Sequence, residues 1–296
     1  MQVYTKINTL YKRYQNLGKA DLPNPDWKKF QNLIIPGKFS DPEIEYIKNL
    51  PGEAYSKIDG TNSKIAYYPS TGEIKVGGKS DKAQSQHGQF EFLQAIADRI
   101  KPQLAEMFPK ETAKFVPVLN NKNQIKYLNS TIDSTELVPT IEGTYLVQLV
   151  ESPIYIYGEY YGAGIQVSTR YRDDNDFVVF DICQQGWWLP KDMRDDICHK
   201  LGLNQVPYLG IMSIEESEKI VRNGFKSRIA KDSTLLEEGI VWRPIVPIKN
   251  SRGNRIICKI KYCDYHAYDE VAKQFTSDEI DKFNKWYNDY IEKLNA

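Results

Sequence analysis

Hydrophobic and polar positions alternate along this chain in two rhythms. Strand-like apolar runs occupy residues 63–68, 73–77, 145–150, 154–160, 176–182, 239–243 and 255–262. Val, Ile and Tyr enrich these runs, and the pattern predicts seven strands. The last two flank Asn250-Ser251-Arg252-Gly253-Asn254, a turn that predicts a hairpin. A helical rhythm intervenes. Phe92, Ile96, Ile100 and Leu104 repeat at helical spacing until Pro109, and residues 191–200 and 214–222 read as helices ending at Gly202 and Gly224. Near the end, Thr276 and Glu279 fit a capping box, with Phe275 and Ile280 at the staple positions. Ile280, Phe283, Tyr287, Tyr290, Ile291 and Leu294 then form one apolar stripe, which predicts a helix packed on the body.

Residues 1–48 are rich in Tyr and Lys, with prolines at 23, 25, 36 and 42, and read as an arm wrapped on the body. Residues 120–143 are polar and weakly periodic, and read as a long loop or insertion. The 296 residues suffice for one large domain or two modest ones. A 41% hydrophobic and 26% charged composition is ordinary for a globular protein. With 39 basic and 39 acidic residues the chain is not coated with nucleic-acid-binding charge, though a local basic groove remains open. No apolar run approaches membrane-spanning length, the first residues are unlike a signal peptide, and the expected location is the cytoplasm, or the host cytoplasm for a phage-encoded chain. Cys183, Cys198, Cys258 and Cys263 form no C-x-x-C pair and read as reduced, structural thiols. A Walker A loop and a G-x-G-x-x-G fingerprint are both absent. Gly158, Gly162 and Gly164 lack that spacing and read as a turn.

Candidate chemistry concentrates in Lys57-Ile58-Asp59-Gly60-Thr61-Asn62. On an extended strand Lys57 and Asp59 share a face, and Gly60 lets the chain bend away. A lysine beside a metal-binding carboxylate is a candidate covalent nucleophile, because desolvation and nearby cations free its amine. The alternative is a salt-bridged pair before an ordinary turn. Lys259 and Lys261 also share a strand face, where two ammonium groups suit phosphate oxygens. The alternative there is an exposed basic edge strand.

Four further elements follow the hexapeptide in order: Tyr157-Gly158-Glu159, Phe177-Val178-Val179-Phe180-Asp181, Glu238-Gly239-Ile240-Val241 and Lys259-Ile260-Lys261. This series resembles the motif set of the covalent nucleotidyltransferases. Lys57 to Asn62, Gly77-Gly78-Lys79-Ser80-Asp81-Lys82-Ala83-Gln84 and Tyr157 to Gln166 narrow the resemblance to ATP-dependent RNA ligases of the RNA ligase 2-like, phage-type group. Lys79 departs from the pattern, standing where related sequences usually carry arginine. The likeness spans residues 4 to 265.

The resemblance implies an α+β nucleotidyltransferase fold, the ATP-grasp-like adenylation domain of ligases, with two antiparallel sheets flanking a nucleotide cleft. It reads residues 49–264 as that domain, 1–48 as the N-terminal arm and 265–296 as a short helical tail. The 35 residues after Lys261 are too few for a five-stranded OB barrel, which favours RNA ligases over DNA ligases and capping enzymes. Implied catalytic residues are Lys57, Asp59, Glu159, Glu238, Lys259 and Lys261. Nucleotide contacts fall to Lys57, Ile58, Asn62, Lys79, Glu159, Phe177, Glu238, Lys259 and Lys261, with Arg170 a further candidate and the RNA phosphates as the alternative target of Asn62 and Arg170. Phe177 matches the ring that stacks on adenine, with core packing as its alternative, and Phe180 is assigned to the core. Asp59, Glu159 and Glu238 would hold Mg2+, or Mn2+ in its place, through water. Glu159 has a second possible role, on the ribose hydroxyls. ATP would leave AMP on Lys57, and the partners would be RNA ends or a nicked RNA-containing duplex, met by a monomer without a membrane. A DNA ligase, a capping-type enzyme and an inactive protein that binds RNA ends remain as alternatives.

Overall fold

A computed structural model describes residues 4, 6–15, 17–80, 83–85, 88–109, 114–117, 136–140, 143–150, 153–166, 170–184 and 186–295. The chain divides into two compact units, residues 1–4 with 60–205 and residues 5–59 with 206–296. The division falls between Asp59 and Gly60, inside the hexapeptide.

After Tyr4, which belongs to the first unit, the chain builds part of the second. It forms strands β1 (Asn8–Thr9), β2 (Tyr11–Arg13) and β3 (Ile34–Phe39), the short helix α1 (Ile44–Ile47) and strand β4 (Gly52–Lys57). β2 pairs with β3. β4 runs to Lys57 and no further, so Asp59 lies in a bend rather than on a strand with the lysine. The expectation that Lys57 and Asp59 share a strand face is therefore corrected. The bend at Asp59 and Gly60 breaks the two-residue alternation that the argument needed.

The other unit follows. Strands β5 (Thr61–Tyr68) and β6 (Glu73–Gly78) lead to helix α2 (Gln89–Met107), whose buried stripe is Leu93, Ala97, Ile100 and Leu104. Phe92 and Ile96, expected in that stripe, lie half-buried at its flank. Strands β7 (Lys114–Pro117), β8 (Glu136–Thr140) and β9 (Gly143–Val150) form a small sheet in the order β7-β9-β8. The strand at Glu136–Thr140 corrects the reading of 120–143 as loop, and residues 120–135 lie outside the described residues. Strands β10 (Ile154–Gly162), β11 (Asn175–Gln184) and β12 (Trp187–Trp188), helix α3 (Lys191–Leu201) and strand β13 (Asn204–Gln205) complete the unit. The main sheet runs β12-β11-β10-β5-β6, with β13 parallel to β11. α2 and α3 cover one face, where Ile65, Ile156, Val179 and Ile182 meet Leu93, Ala97, Ile197 and Leu201.

The chain then returns. Strand β14 (Tyr208–Met212), helix α4 (Ile214–Asn223), strands β15 (Gly239–Pro244) and β16 (Cys258–Lys261), and helices α5 (Tyr262–Ala272) and α6 (Ser277–Asn295) complete the fold. Five strands align as β1-β16-β15-β4-β14, antiparallel except for β1 on β16. The hairpin expected around Asn250 forms, with Asn250 and Asn254 bonded across its turn, but its second strand starts only at Cys258. Alternation sorts the sheet. Ala54, Ile240, Trp242, Cys258 and Ile260 face a core shared with Ile214 and Val221 of α4. Lys57, Gly239, Val241, Lys259 and Lys261 take the opposite parity.

α6 carries the expected capping box, the Thr276 hydroxyl and the Glu279 carboxylate each accepting the other residue's backbone N–H. Ile280, Phe283, Tyr287 and Ile291 of its stripe pack on the N-terminal segment, where Phe283 stacks on Phe30 at 4.4 Å and the Tyr14 hydroxyl donates to Asn284 at 2.6 Å, whereas Leu294, expected in the stripe, is exposed. The molecule is α+β, as expected. No helix among the described residues is long and apolar enough to cross a membrane, and no disulfide forms.

Candidate active site

In the unit built on β4, β15 and β16, the ladder register sets the predicted residues in rows. Lys57 and Lys261 both lie opposite Gly239, one on each neighbouring strand. Lys259 lies one row away, opposite Val241. Gly239 must be glycine, because an added Cβ would fall 1.9 Å from the Ile260 carbonyl oxygen. Glu238 bridges the row. Its Oε2 accepts from Lys57 Nζ at 2.5 Å and its Oε1 from Lys261 Nζ at 2.7 Å. Burial opposes the charge on Lys261, but the hydrogen bond and charge of Glu238 outweigh it and hold the ammonium above the usual lysine value. Ile58 is buried at 3% exposure, which leaves its main chain for any nucleotide contact.

Sequence reasoning missed Glu237. It is 1% exposed, and neither carboxylate oxygen has a hydrogen-bond partner. Burial pushes its carboxyl above the usual glutamate value. The Ser227 and Ser56 hydroxyls pull the other way from nearby, without reaching hydrogen-bond geometry, and the Glu238 charge adds to the rise. The signal was available: of two successive glutamates leading into a strand, one faces inward.

In the unit built on β5, β10 and β11, Glu159 sits in register between Asn62 and Val178. The strand alternation gives Tyr155, Tyr157 and Glu159 the face opposite α2. Phe177 is not on that face. Its ring is 1% exposed in the core under α2, and it fills the space an added Cβ at Gly158 would take, 2.4 Å away. The base-stacking expectation for Phe177 is corrected, and so is the core assignment of Phe180. The β10–β11 register slips at Tyr157/Gly158, where Tyr157 pairs Asp181 and Gly158 pairs Val179. Phe180 is the extra residue of that bulge and is half-buried against Tyr4, ring centroids 5.1 Å apart. The Tyr4 hydroxyl donates to Asp181 at 2.5 Å, and its ring also meets Tyr157 and Trp188. Lys64, in register with Tyr157 and wholly buried, is a second residue missed. A lone lysine inside an apolar strand was its signal. Gly158 belongs to β10, which corrects its reading as part of a turn. Lys79 is exposed just beyond β6, and Arg170 is exposed.

Asp59 and Glu238 belong to one unit and Glu159 to the other. Among the described residues no group of three or more His, Cys, Asp or Glu is arranged to hold a metal ion. Glu238 is instead engaged by two lysines.

The RNA ligase family model matches residues 54–261, from β4 through the last lysine of β16. The chain belongs to the RNA ligase family. Among solved structures it is similar to forms of the Naegleria gruberi RNA ligase. An apo form of a substituted enzyme is 16% identical, covering 77% of this chain and 54% of that one, with a TM-score of 0.46. A form with AMP and Mn is 16% identical, covering 79% and 55%, at 0.47. A form with pyrophosphate is 18% identical, covering 79% and 55%, at 0.45. The chain thus spans just over half the length of those ligases. No curated protein sequence matches.

Proposed function

We propose that this family member is an ATP-dependent RNA ligase that joins a 3′-hydroxyl to a 5′-phosphate through lysyl-AMP and an RNA-adenylate. The observation that carries the reading is the row Lys57–Gly239–Lys261, bridged by Glu238. An ion-paired lysine is an ammonium and cannot attack. Lys57 must therefore leave Glu238 and give a proton to solvent before its Nζ bonds the α-phosphorus of ATP, as the bond from that phosphorus to the departing pyrophosphate breaks. Lys259 and Lys261 hold phosphate oxygens as negative charge develops. The adenylate then passes to an RNA 5′-phosphate, and the 3′-hydroxyl oxygen displaces AMP to form the phosphodiester.

The donor set fits a hydrated ion better than a direct cage, so Asp59, Glu159 and Glu238 would hold magnesium or manganese through water. When bound, the ion neutralises phosphate charge. Glu159 has the ribose hydroxyls as its second role, Asn62, adjacent to it in register, and Arg170 are assigned to the nucleotide or the RNA phosphates, and Lys79 to a phosphate of the nucleotide or of the RNA 5′ end.

Incubation with α-labelled ATP or GTP and magnesium, followed by intact-mass analysis, tests the reading. AMP on the parent, and no label on folded Lys57→Ala or Lys57→Arg, is expected, because a guanidinium stays protonated. GMP retained would indicate capping chemistry, and a labelled Lys57→Ala would remove Lys57 as nucleophile. Equal sealing of all-DNA and RNA-containing nicks would contradict the RNA assignment.

A further inference from the structure

A groove of ≈ 990 Å³ opens beside the motif lysines, wholly within the unit of residues 5–59 and 206–296. Lys259 and Lys261 line one part of it. Lys6 and Lys12 come from the N-terminal segment, Lys38 from β3 and Arg252 from the hairpin turn. Arg13 also lines it, and one acidic side chain, Glu292 of α6, does so too. In a chain whose charges balance at zero, this is a local surplus of cations.

The cations differ in how they are engaged. Arg13 is ion-paired with Asp264 at 2.7 Å, Arg252 lies 3.5 Å from Asp41, and Lys38 donates to Asn288. Lys261 is held by Glu238. Lys6 and Lys12 are exposed and make no ion pair or hydrogen bond with a described residue. A second cavity of ≈ 320 Å³ shares Lys6, Asn8 and Arg252 with the groove and adds Asn250, Asn254 and Arg255 together with the carboxylate of Asp41.

We propose that this groove binds the phosphodiester backbone of single-stranded RNA next to the end being joined. The phosphate contacts proposed for ATP use Lys259 and Lys261 and leave the other groove cations without a role. The further cations lie on three other segments of the groove lining, which suits a ligand with a repeating charge. The ligase reading supplies the identity of the strand; the groove's charge and shape stand without it.

The test uses the full chain with Lys6→Ala and Lys12→Ala combined. Binding of a short 5′-phosphorylated single-stranded RNA is followed by fluorescence anisotropy across salt. Each single-strand phosphate contact contributes about 0.7 to the slope of log affinity against log salt. Two lost contacts should therefore lower the slope by about 1.4. The parent then loses about sevenfold more affinity than the variant between about 50 and 200 mM salt. Lys273→Ala with Lys282→Ala removes equal charge from exposed sites outside the groove and should leave the slope near the parent's. An unchanged slope in the groove variant, or an equal drop in the control, overturns the proposal. So does weaker ATP binding with RNA binding intact, which would make the groove a triphosphate site. A parent that takes no label from ATP removes the ligase reading, while the RNA titration still decides the groove.

Discussion

Gly239→Ala is the sharpest probe of how the fold builds the site. An added Cβ would lie 1.9 Å from the Ile260 oxygen and 2.9 Å from Ile260 C and Lys261 Cα. All three are backbone atoms and cannot swing aside. Reaching even 3.0 Å, below which real Cβ atoms are essentially never found, needs β15 and β16 to part by about 1.1 Å. The parting falls where Gly239 pairs Lys261, so the 2.7 Å bond from Lys261 to Glu238 stretches beyond hydrogen-bond length. Overpacking of this kind costs about 1–3 kcal/mol. At about 2–4 °C per kcal/mol the midpoint of thermal unfolding should fall by roughly 2–12 °C. A misplacement near 1 Å at a reacting centre can cost up to about a hundredfold in rate. Thermal unfolding and the rate of label transfer from ATP, measured well below the midpoint so that the variant stays folded, read the two effects separately. Parental values of both would refute the reasoning. A lower midpoint with parental label transfer would show that the row is structural only.

Two further outcomes are expected. The Glu237 carboxyl is raised by burial, so the folded protein holds that proton more tightly than the unfolded chain. Its stabilising share is complete below the ordinary value of 4.5 and is lost as pH rises through the folded value. Glu237→Gln should accordingly raise the unfolding midpoint at neutral pH, with a gain that vanishes in acid below about 4.5; a pH-independent gain would contradict this. Lys79→Ala should slow ligation roughly tenfold at limiting ATP and RNA, the scale of a charge-assisted hydrogen bond of about 1.5–3 kcal/mol, whereas Lys79→Arg retains activity. A parental rate for the alanine variant would make Lys79 a tolerant loop residue.

Local physics was legible in the residues themselves. Helix α4 starts at Ser213 with a reciprocal bond to Glu216, and α3 stops at Gly202 with a positive φ. Neither needs a distant partner. The strands around Glu159 and Lys261 followed from two-residue alternation, and the ordered motifs identified the family. Parity within one regular strand was equally readable, which is why Lys259 and Lys261 share a face.

What failed in the sequence reading was parity across irregularities. The bend after Lys57 separated Asp59 from its strand, and the bulge at Phe180 gave that ring the face expected for Phe177. A bulge arises from how two strands pair, so neither strand announces it alone. The same limit applies to contacts distant in sequence. Glu238 meets Lys57 across 181 residues, and burial of Glu237 and Lys64 depends on what packs over them. The basic groove is more extreme, since its cations come from the first forty residues and from the last hairpin. Composition reports only their sum, which is zero. Short-range order was set by steric and capping rules that act within a few residues. The site's electrostatics were decided by the tertiary structure, because charge interactions depend on separations that only the folded chain defines.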